Sequence, residues 1–407
     1  MLFPASLLLS TLAGCNEIWG ITPGLPDGGG SGGAGGAGGS GGTVTSSSGG
    51  SGGGPSGTCP PIVAGDCEDM ALLSDPENCC VPGRSCLGGA CEYGLCLPVP
   101  LDANASTDTR GIGVSGDRVY WSTGANALIK SRKKDGSGYM EVVGDSNWMP
   151  SLAVNDAHVY WLEWNGGDVR RAPLSGAAAG EIVASISSTP DFGRIAVGET
   201  FVFWATRNEE VGVWAAPITA LTQQVLPLAV GASSGRAVQK VVYPTGVAAD
   251  ATHVYFSHGG DGMNPGGVLR REIASVAAGE DVAAEIVAAD DSGAGDLALD
   301  ETHVYWVTSG GDVRRRGKDG SGPVETIAQS QSSPIAVAVD DVFVYWTVYG
   351  NGGQHDGSVR RAPKGGGAIV TLADNQANPW EIAVDCEAVY WTNHNDFGVG
   401  EVMKVAK

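Results

Sequence analysis

The chain repeats one apolar triplet, a valine followed by two aromatic residues, seven times. In chain order the triplets begin at Val119, Val159, Val202, Val254, Val304, Val344 and Val389, at spacings of 40, 43, 52, 50, 40 and 45 residues. β-branched and aromatic side chains favour strands. The triplet is apolar continuously rather than at alternate positions, which is typical of a strand covered on both faces. The pattern therefore predicts one buried strand in every repeat.

Polar residues divide each repeat into further strands. A turn-forming residue stands six residues before the last aromatic: Ser115, Asn155, Gly198, Asp250, Asp300, Asp340 and Asp385. We expect the aspartates to accept backbone N–H groups in the turn between strands one and two. After the triplet come a Gly-rich turn, a strand such as "DVRRAP" (168–173), another turn and a fourth apolar run. Four short strands in 40–50 residues have the dimensions of a propeller blade, so we predict an all-β, seven-bladed β-propeller over residues 97–407.

The two ends of the repeat region complement each other. The seventh repeat stops after its third strand, and residues 97–106, "LPVPLDANAS", align with the fourth strand of the sixth repeat. We expect residues 97–106 to supply the closing strand of blade seven, which removes the open edges of the ring.

The triplets resemble the YWTD blades of the low-density-lipoprotein receptor class, most closely in "VYWTV" (344–348) and "VYWTN" (389–393). This resemblance implies a propeller fold. The overall plan also resembles the Gly/Ser-tethered propeller lipoproteins of myxobacteria, which implies a location in the cell envelope.

The N-terminal residues resemble a bacterial lipoprotein leader. An apolar stretch ends in Leu12-Ala13-Gly14-Cys15, which is similar to a lipobox. The resemblance implies a signal peptide over residues 1–14, a lipid on the thiol of Cys15 as the membrane anchor, and an outer-membrane protein that faces the periplasm or the cell surface. Residues 15–58 are dominated by Gly and Ser and predict a flexible tether with a reach of roughly 35 Å.

Residues 59–96 are rich in cysteine. Seven of the nine cysteines fall here: Cys59, Cys67, Cys79, Cys80, Cys86, Cys91 and Cys96. This density predicts a small disulfide-stapled module in an exported chain. A zinc site is the alternative, but the segment has no His and no paired C-x-x-C ligands. Because seven is odd, we hypothesise that one of these cysteines bonds to Cys386.

Charge narrows the range of partners. The formal net charge is −21 and no cluster of Lys and Arg interrupts it, so nucleic-acid binding is not expected. The longest apolar run is the N-terminal one, which is too short to span a bilayer.

The candidate site lies where two sets of loops share one face of the predicted ring. These are the loops between strands two and three and the loops that lead into strand one. They supply Trp148, Trp164, Trp380, His258, His355, Asp356, His394 and Asp396 as candidate ligand-binding residues, with Phe192 and Tyr243 as further aromatics. Aromatic rings with carboxylates at a concave mouth suit sugars or peptides. The alternative is that Trp148 and Trp380 only fill the mouth of the channel.

The chain has no G-x-S-x-G, H-E-x-x-H, P-loop or dinucleotide motif. We therefore predict a non-catalytic binding module for a protein, peptide or glycan, with no cofactor and no metal. The alternative is a hydrolase or lyase that uses His258, His355 or His394 with Asp356 or Asp396.

Overall fold

A computed structural model describes residues 70–407 apart from short gaps. The gaps are at 81, 83, 107, 125–127, 145–148, 164–166, 177–178, 187–190, 208–210, 220–224, 231–240, 261–264, 281, 291, 352–354 and 395–398. The predicted signal peptide and tether, with Cys15, Cys59 and Cys67, lie outside the described residues.

The Cys-rich segment forms a small module. It contains a 3-10 helix, Met70–Leu73, and a hairpin of β1 (Cys91–Glu92) and β2 (Leu95–Cys96). Disulfides join Cys79 to Cys91 and Cys86 to Cys96, and Cys80 and Cys386 are also disulfide-bonded. Among the described residues, one group of three potential metal ligands lies close together: Cys79, Cys86 and Cys96. All three belong to these two disulfides. The disulfide-rich module is thus confirmed.

Seven four-stranded antiparallel sheets follow, as the repeats predict. Strand β3 spans Val99–Ser106. Blades 1 to 3 comprise β4 (Thr109–Ser115), β5 (Arg118–Thr123), β6 (Leu128–Lys133), β7 (Met140–Val143), β8 (Leu152–Val154), β9 (His158–Glu163), β10 (Asp168–Pro173), β11 (Glu181–Ser185), β12 (Phe192–Val197), β13 (Phe201–Thr206), β14 (Gly212–Pro217) and β15 (Leu226–Val230). Blades 4 and 5 comprise β16 (Pro244–Ala249), β17 (His253–Gly260), β18 (Pro265–Glu272), β19 (Glu285–Asp290), β20 (Ala294–Leu299), β21 (His303–Thr308), β22 (Val313–Gly317) and β23 (Glu325–Ala328), with a short helix α1 (Ile273–Ala277) after β18. Blades 6 and 7 comprise β24 (Pro334–Val339), β25 (Phe343–Val348), β26 (Gly357–Pro363), β27 (Val370–Gln376), β28 (Pro379–Val384), β29 (Ala388–Asn393) and β30 (Gly400–Ala406), completed by β3.

The apolar triplets form the cores between blades. In blade 6, Tyr345 is packed with blade 7 residues such as Trp391, whereas Val344 and Trp346 are packed with blade 5 residues such as Val307. A strand with a neighbouring blade on each face gains from apolar residues at every position, and burying each such side chain stabilises the fold by roughly 1.5–3 kcal/mol.

The turns between strands one and two recur in most blades because one side chain accepts two backbone N–H groups in each of these turns. The Oδ1 atom of Asp300 accepts the backbone N–H groups of Thr302 and His303, at 2.8 and 2.7 Å. Asn155, Asp250, Asp340 and Asp385 accept the equivalent pairs of N–H groups. The predicted role of these residues is confirmed.

The ring closes through pairing of β3 with β30, in which Val99 lies opposite Lys404 and Ser106 opposite Gly400. Leu101 of β3 lies in one apolar cluster with Trp121 of blade 1 and Tyr390 of blade 7. An N-terminal strand therefore belongs to the last blade and packs against the first.

The module packs against blades 6 and 7. Cys86 and Cys96 share an apolar cluster with Met403 and Val405 of β30, and Arg84 Nε donates to the carbonyl oxygen of Lys407 at 2.8 Å. These contacts lie at the face of the propeller where first strands end and third strands end. We call it the module face, and the opposite face, where first strands begin, the cavity face. Among the described residues no helix is long and apolar enough to span a membrane.

Candidate functional site

The innermost strands contain a β-bulge at the cavity face. In β4, Thr109 pairs with Thr123 and Ile112 with Trp121, so two residues, Arg110 and Gly111, oppose the single residue Ser122. The innermost strands of blades 3 to 7 have the same shift at the corresponding place. A bulge redirects the side chains of its extra residues. The bulges bring Arg110, Arg194, Thr245, Asp296 and Trp380 to the wall of one cavity.

Hydroxyl groups fix several of these bulges. Thr392 Oγ1 accepts the backbone N–H of Glu381 at 3.2 Å and donates to the carbonyl oxygen of Arg110 in the next blade at 2.7 Å. Ser122, Ser257 and Thr347, the residues that follow the triplets in blades 1, 4 and 6, link their blades in the same way. The hydroxyl after the triplet thus holds a channel-lining bulge against the neighbouring blade.

A buried ionic triad crosses the channel beneath the cavity. Arg194 of blade 3 donates to a carboxylate oxygen of Glu381 in blade 7, and its Nε lies 3.4 Å from Asp296 Oδ1 in blade 5. Glu381 Oε2 accepts the N–H of Ile112 at 3.0 Å, and Asp296 Oδ2 accepts the N–H of Val337 at 3.1 Å. Burial raises the pKa of Glu381 to about 7, although attraction by Arg194 opposes the rise.

A second cluster surrounds Trp380 at the mouth. The Arg110 guanidinium lies 4.6 Å from the centroid of the Trp380 ring and is paired with Asp108, with 2.5 Å between Nε and Oδ1. His394 Nε2 lies 2.7 Å from the same Asp108 oxygen, and the His394 and Tyr349 rings lie 5.6 and 5.9 Å from Trp380. Much of the indole is therefore in contact with protein groups already.

The cavity has a volume of about 490 Å³. Its wall combines polar, aromatic and apolar groups, and besides the bulge residues it includes Asp191, Arg207, Tyr243, Thr308 and Ser309. Tyr243 is 60% exposed and has a positive φ of 51°, which presents the ring at the rim. Volumes of about 300–1,000 Å³ are usual for ligand sites.

Some of the predicted ligand-binding residues lie at the cavity and others do not. Trp380 and Tyr243 line the cavity, and His394 contacts Trp380. His258 was expected in a loop but lies in β17, because the hairpin of β17 and β18 extends to Gly260 and Pro265. It is buried, and burial lowers its pKa.

His355 and Asp356 are exposed and are not part of the cavity wall. Asp356 Oδ2 accepts the N–H of Asn351 at 2.7 Å, so this carboxylate closes its own loop. Trp148, Trp164, Asp396 and the Phe192 side chain lie outside the described residues.

The four charged residues at the bulges were not predicted: Arg110, Arg194, Asp296 and Glu381. Their signal is a charge immediately before a run of small and aliphatic residues, as in "RIAV" (194–197) and "EIAV" (381–384). The innermost strand of a propeller faces the channel, so a charge at this position indicates a channel ion pair. Arg207, which follows β13, had no comparable signal.

Comparison with known proteins supports the fold alone. No protein-family model matches the chain, and no curated protein is similar to it in sequence. The β-propeller domain of Cps50 (Swd1) from Myceliophteria thermophila is similar with a TM-score of 0.56 at 12% identity, over 76% of this chain and 100% of that one. The computationally designed protein Ika8 is similar with a TM-score of 0.51 at 12% identity, over 74% of this chain and 97% of that one. A chain of a nidogen/laminin complex covers 63% of this chain and 89% of its own, with 18% identity and a TM-score of 0.45. The protein is a seven-bladed β-propeller.

Proposed function

We propose that this propeller is a non-catalytic binding module that captures a protein, peptide or glycan at the mouth of its channel. The observation that carries the proposal is the cavity of about 490 Å³, lined by bulge residues from several blades and bordered by the exposed ring of Tyr243. Concave sites with aromatic groups and a few placed polar groups are typical of ligand binding.

A non-catalytic role is favoured by the positions of the histidines. His258 is buried within a sheet and His355 is exposed outside the cavity wall. A hydrolase or lyase requires an acid or base within reach of a bound substrate, and neither histidine is part of the cavity wall. His394 beside Trp380 is the residue whose substitution by Ala would test the catalytic alternative.

Peptide and glycan arrays probed with the full-length protein test the binding role. Titration of the hits should show that Tyr243→Ala weakens binding about tenfold or more, because it removes an aromatic contact at the rim. Tyr139→Ala is the matched control, since Tyr139 is also exposed (46%) but lies in the turn after a third strand, at the module face. Hits that bind equally to Tyr243→Ala and to the wild type would place the ligand elsewhere and contradict the proposal.

We further propose that the protein is held at the outer membrane by lipid on Cys15, with the tether leading to the module. This location is supported by the leader sequence that ends in Leu12-Ala13-Gly14-Cys15. Mass spectrometry of the Cys15 peptide and membrane fractionation of Cys15→Ser test this, and a variant that fractionates like the wild type would refute it.

A further inference from the structure

Arg207 is a cation in the cavity wall that forms no ion pair with a carboxylate of the described residues. It follows β13, and its backbone N–H donates to the carbonyl oxygen of Asp191 at 2.7 Å, which fixes the start of its loop. Its Nε is inaccessible to solvent and makes no hydrogen bond. Among the described residues, the guanidinium has no hydrogen-bond or ion-pair partner. A charge withdrawn from water in this way is costly unless it is paired.

The neighbouring arginines are already paired. Arg194 contacts Glu381 and Asp296, and Arg110 contacts Asp108 and lies over Trp380. Burial lowers the pKa of Arg207, and the positive charges of Arg194 and Arg110 add to the effect, while Asp191 opposes it. An arginine stays protonated in proteins. Of the three arginines in the described cavity wall, Arg207 is therefore the one without a paired carboxylate among the described residues, and its charge is available to a ligand.

We propose that Arg207 anchors a carboxylate subsite that accepts the acidic side chain of a peptide or protein loop. A guanidinium presents a planar fork of donors that matches a carboxylate in a two-pronged contact. This inference rests on the proposed binding function and specifies the chemistry of its ligand.

The surrounding groups favour a peptide over a sugar. Thr245 Oγ1 donates to the Ala294 carbonyl oxygen at 3.0 Å, and Ser309 Oγ donates to the carbonyl oxygen of Ser292. Both hydroxyl protons are engaged, so these oxygens offer lone pairs to a ligand, which complement peptide N–H groups. Sugars bind proteins by stacking on open aromatic faces. Because Arg110 already covers a face of Trp380, the Tyr243 ring at the rim is the more open of the two.

Binding of short peptides measures the subsite directly. The probes are acetylated, amidated Gly-Gly-Asp-Gly-Gly and Gly-Gly-Glu-Gly-Gly, their Asn and Gln counterparts, and glucuronate, titrated against the full-length protein by calorimetry or saturation-transfer NMR. We expect the wild type to bind one acidic peptide at least about tenfold more tightly than its amide counterpart, which corresponds to about 1.4 kcal/mol.

Three variants assign that preference. Arg207→Gln should abolish the preference for the acid, Arg207→Lys should restore part of it, and Lys133→Gln, which removes a charge from the module face, should leave it unchanged. A purely structural Arg207 predicts that Arg207→Gln unfolds at a lower temperature. We expect the Tm of that variant to equal or exceed the wild-type value, because the substitution removes an unpaired charge.

Several results would overturn the subsite. They are equal affinity for acid and amide peptides, an acid preference that survives Arg207→Gln, a lowered Tm of that variant, or tighter binding of glucuronate than of every peptide. The array hits and the Tyr243→Ala variant test the wider binding proposal separately. If the hits are neutral ligands and Tyr243→Ala no longer binds them, the binding proposal stands and the carboxylate subsite is refuted.

Discussion

At the residue scale, Arg194 holds together parts of the ring that are distant in sequence. Through Glu381 and Asp296 it connects blades 3, 7 and 5, and the backbone hydrogen bonds to Ile112 and Val337 extend the network to blades 1 and 6. Buried ion pairs contribute little net stability, but removing one partner costs about 3–5 kcal/mol. The triad therefore adds little net stability as a whole, but the loss of any one of its three side chains would destabilise the fold.

The protonation of Glu381 gives a test at this scale. Its pKa is about 7 in the folded protein against 4.5 for an unperturbed Glu. The folded state therefore binds this proton more tightly than the unfolded chain does, so stability from this group is lost as the pH rises from about 4.5 to about 7. We expect Glu381→Gln to remove this loss, so that the difference in Tm between variant and wild type shifts in favour of the variant across that range.

The difference in Tm isolates Glu381 because other groups also make stability depend on pH; burial lowers the pKa of His258, for example. Glu301→Gln, at an exposed position, is the control and should track the wild type. Parallel Tm curves for Glu381→Gln and the wild type would mean that Glu381 is ionised throughout.

At the element scale, adjacent blades are joined by one of two kinds of contact at the module face. In blade 5, Asp300 accepts the Tyr305 hydroxyl and pairs with Lys364 Nζ of blade 6, both at 2.8 Å. Burial alone would raise the pKa of Asp300, but the hydrogen bonds from Lys364 and the turn N–H groups lower it to about 2. Equivalent ion pairs join Asp250 to Lys318, Asp340 to Lys407 and Asp385 to Lys134.

The other three junctions lack this ion pair. Where the aspartate is replaced by Ser115, Asn155 or Gly198, the lysine is replaced by Leu174, Ile218 or Ile273, which lie in one apolar cluster each with Tyr120, Tyr160 and Phe203 of the preceding blade. The backbone register is the same in all seven, since each of these residues donates its N–H to the equivalent carbonyl oxygen of its own blade. The aspartate of one blade and the lysine of the next are therefore either both present or both replaced at each junction.

Exchanging one junction type for the other tests this coupling. Lys364→Ile should destabilise the protein by about 2–3 kcal/mol, because Asp300 loses its cation while remaining largely buried. The double variant Asp300→Ser/Lys364→Ile reproduces a junction without the ion pair and should recover to within about 1 kcal/mol of the wild type. Urea unfolding measures both.

Asp341→Ser is the control for the serine substitution, because Asp341 is an exposed aspartate in the corresponding turn of blade 6. If the double variant is no more stable than Lys364→Ile, the two positions act independently and the junction is not a unit.

At the scale of the whole molecule, β3 is the element that makes the propeller a ring. Its partner β30 lies about 300 residues further along the chain, and Leu101 fills a cluster shared by the first and last blades. Leu101 is 5% exposed. An element that joins the ends of a ring prevents the terminal blades from opening first.

Truncation of Leu101 measures the strength of this closure. We expect Leu101→Ala to lower the free energy of unfolding by about 2–4 kcal/mol, because it leaves a cavity between blades 7 and 1. Ile286→Ala, at a position 65% exposed, should change it by less than about 1 kcal/mol. A Leu101→Ala variant as stable as Ile286→Ala would show that opening of the ring does not limit stability. Proteolysis of both variants would locate any local opening.

The sequence by itself determined the number of blades, the buried triplet strands and the aspartate-closed turns, because each follows from periodicity and local hydrogen bonding within one repeat. It also pointed to the closing strand through the missing fourth strand of the last repeat. The site was decided by tertiary structure. Arg194, Glu381 and Asp296 lie in three blades up to 187 residues apart, and a bulge turns each side chain into the channel. His258 and Trp380 were both expected in loops. The length of the β17–β18 hairpin buries His258 in a sheet, and the bulge in β28 places Trp380 in the cavity wall. Spacing along a chain specifies which elements form, whereas the distances between side chains of different blades arise only when the ring closes.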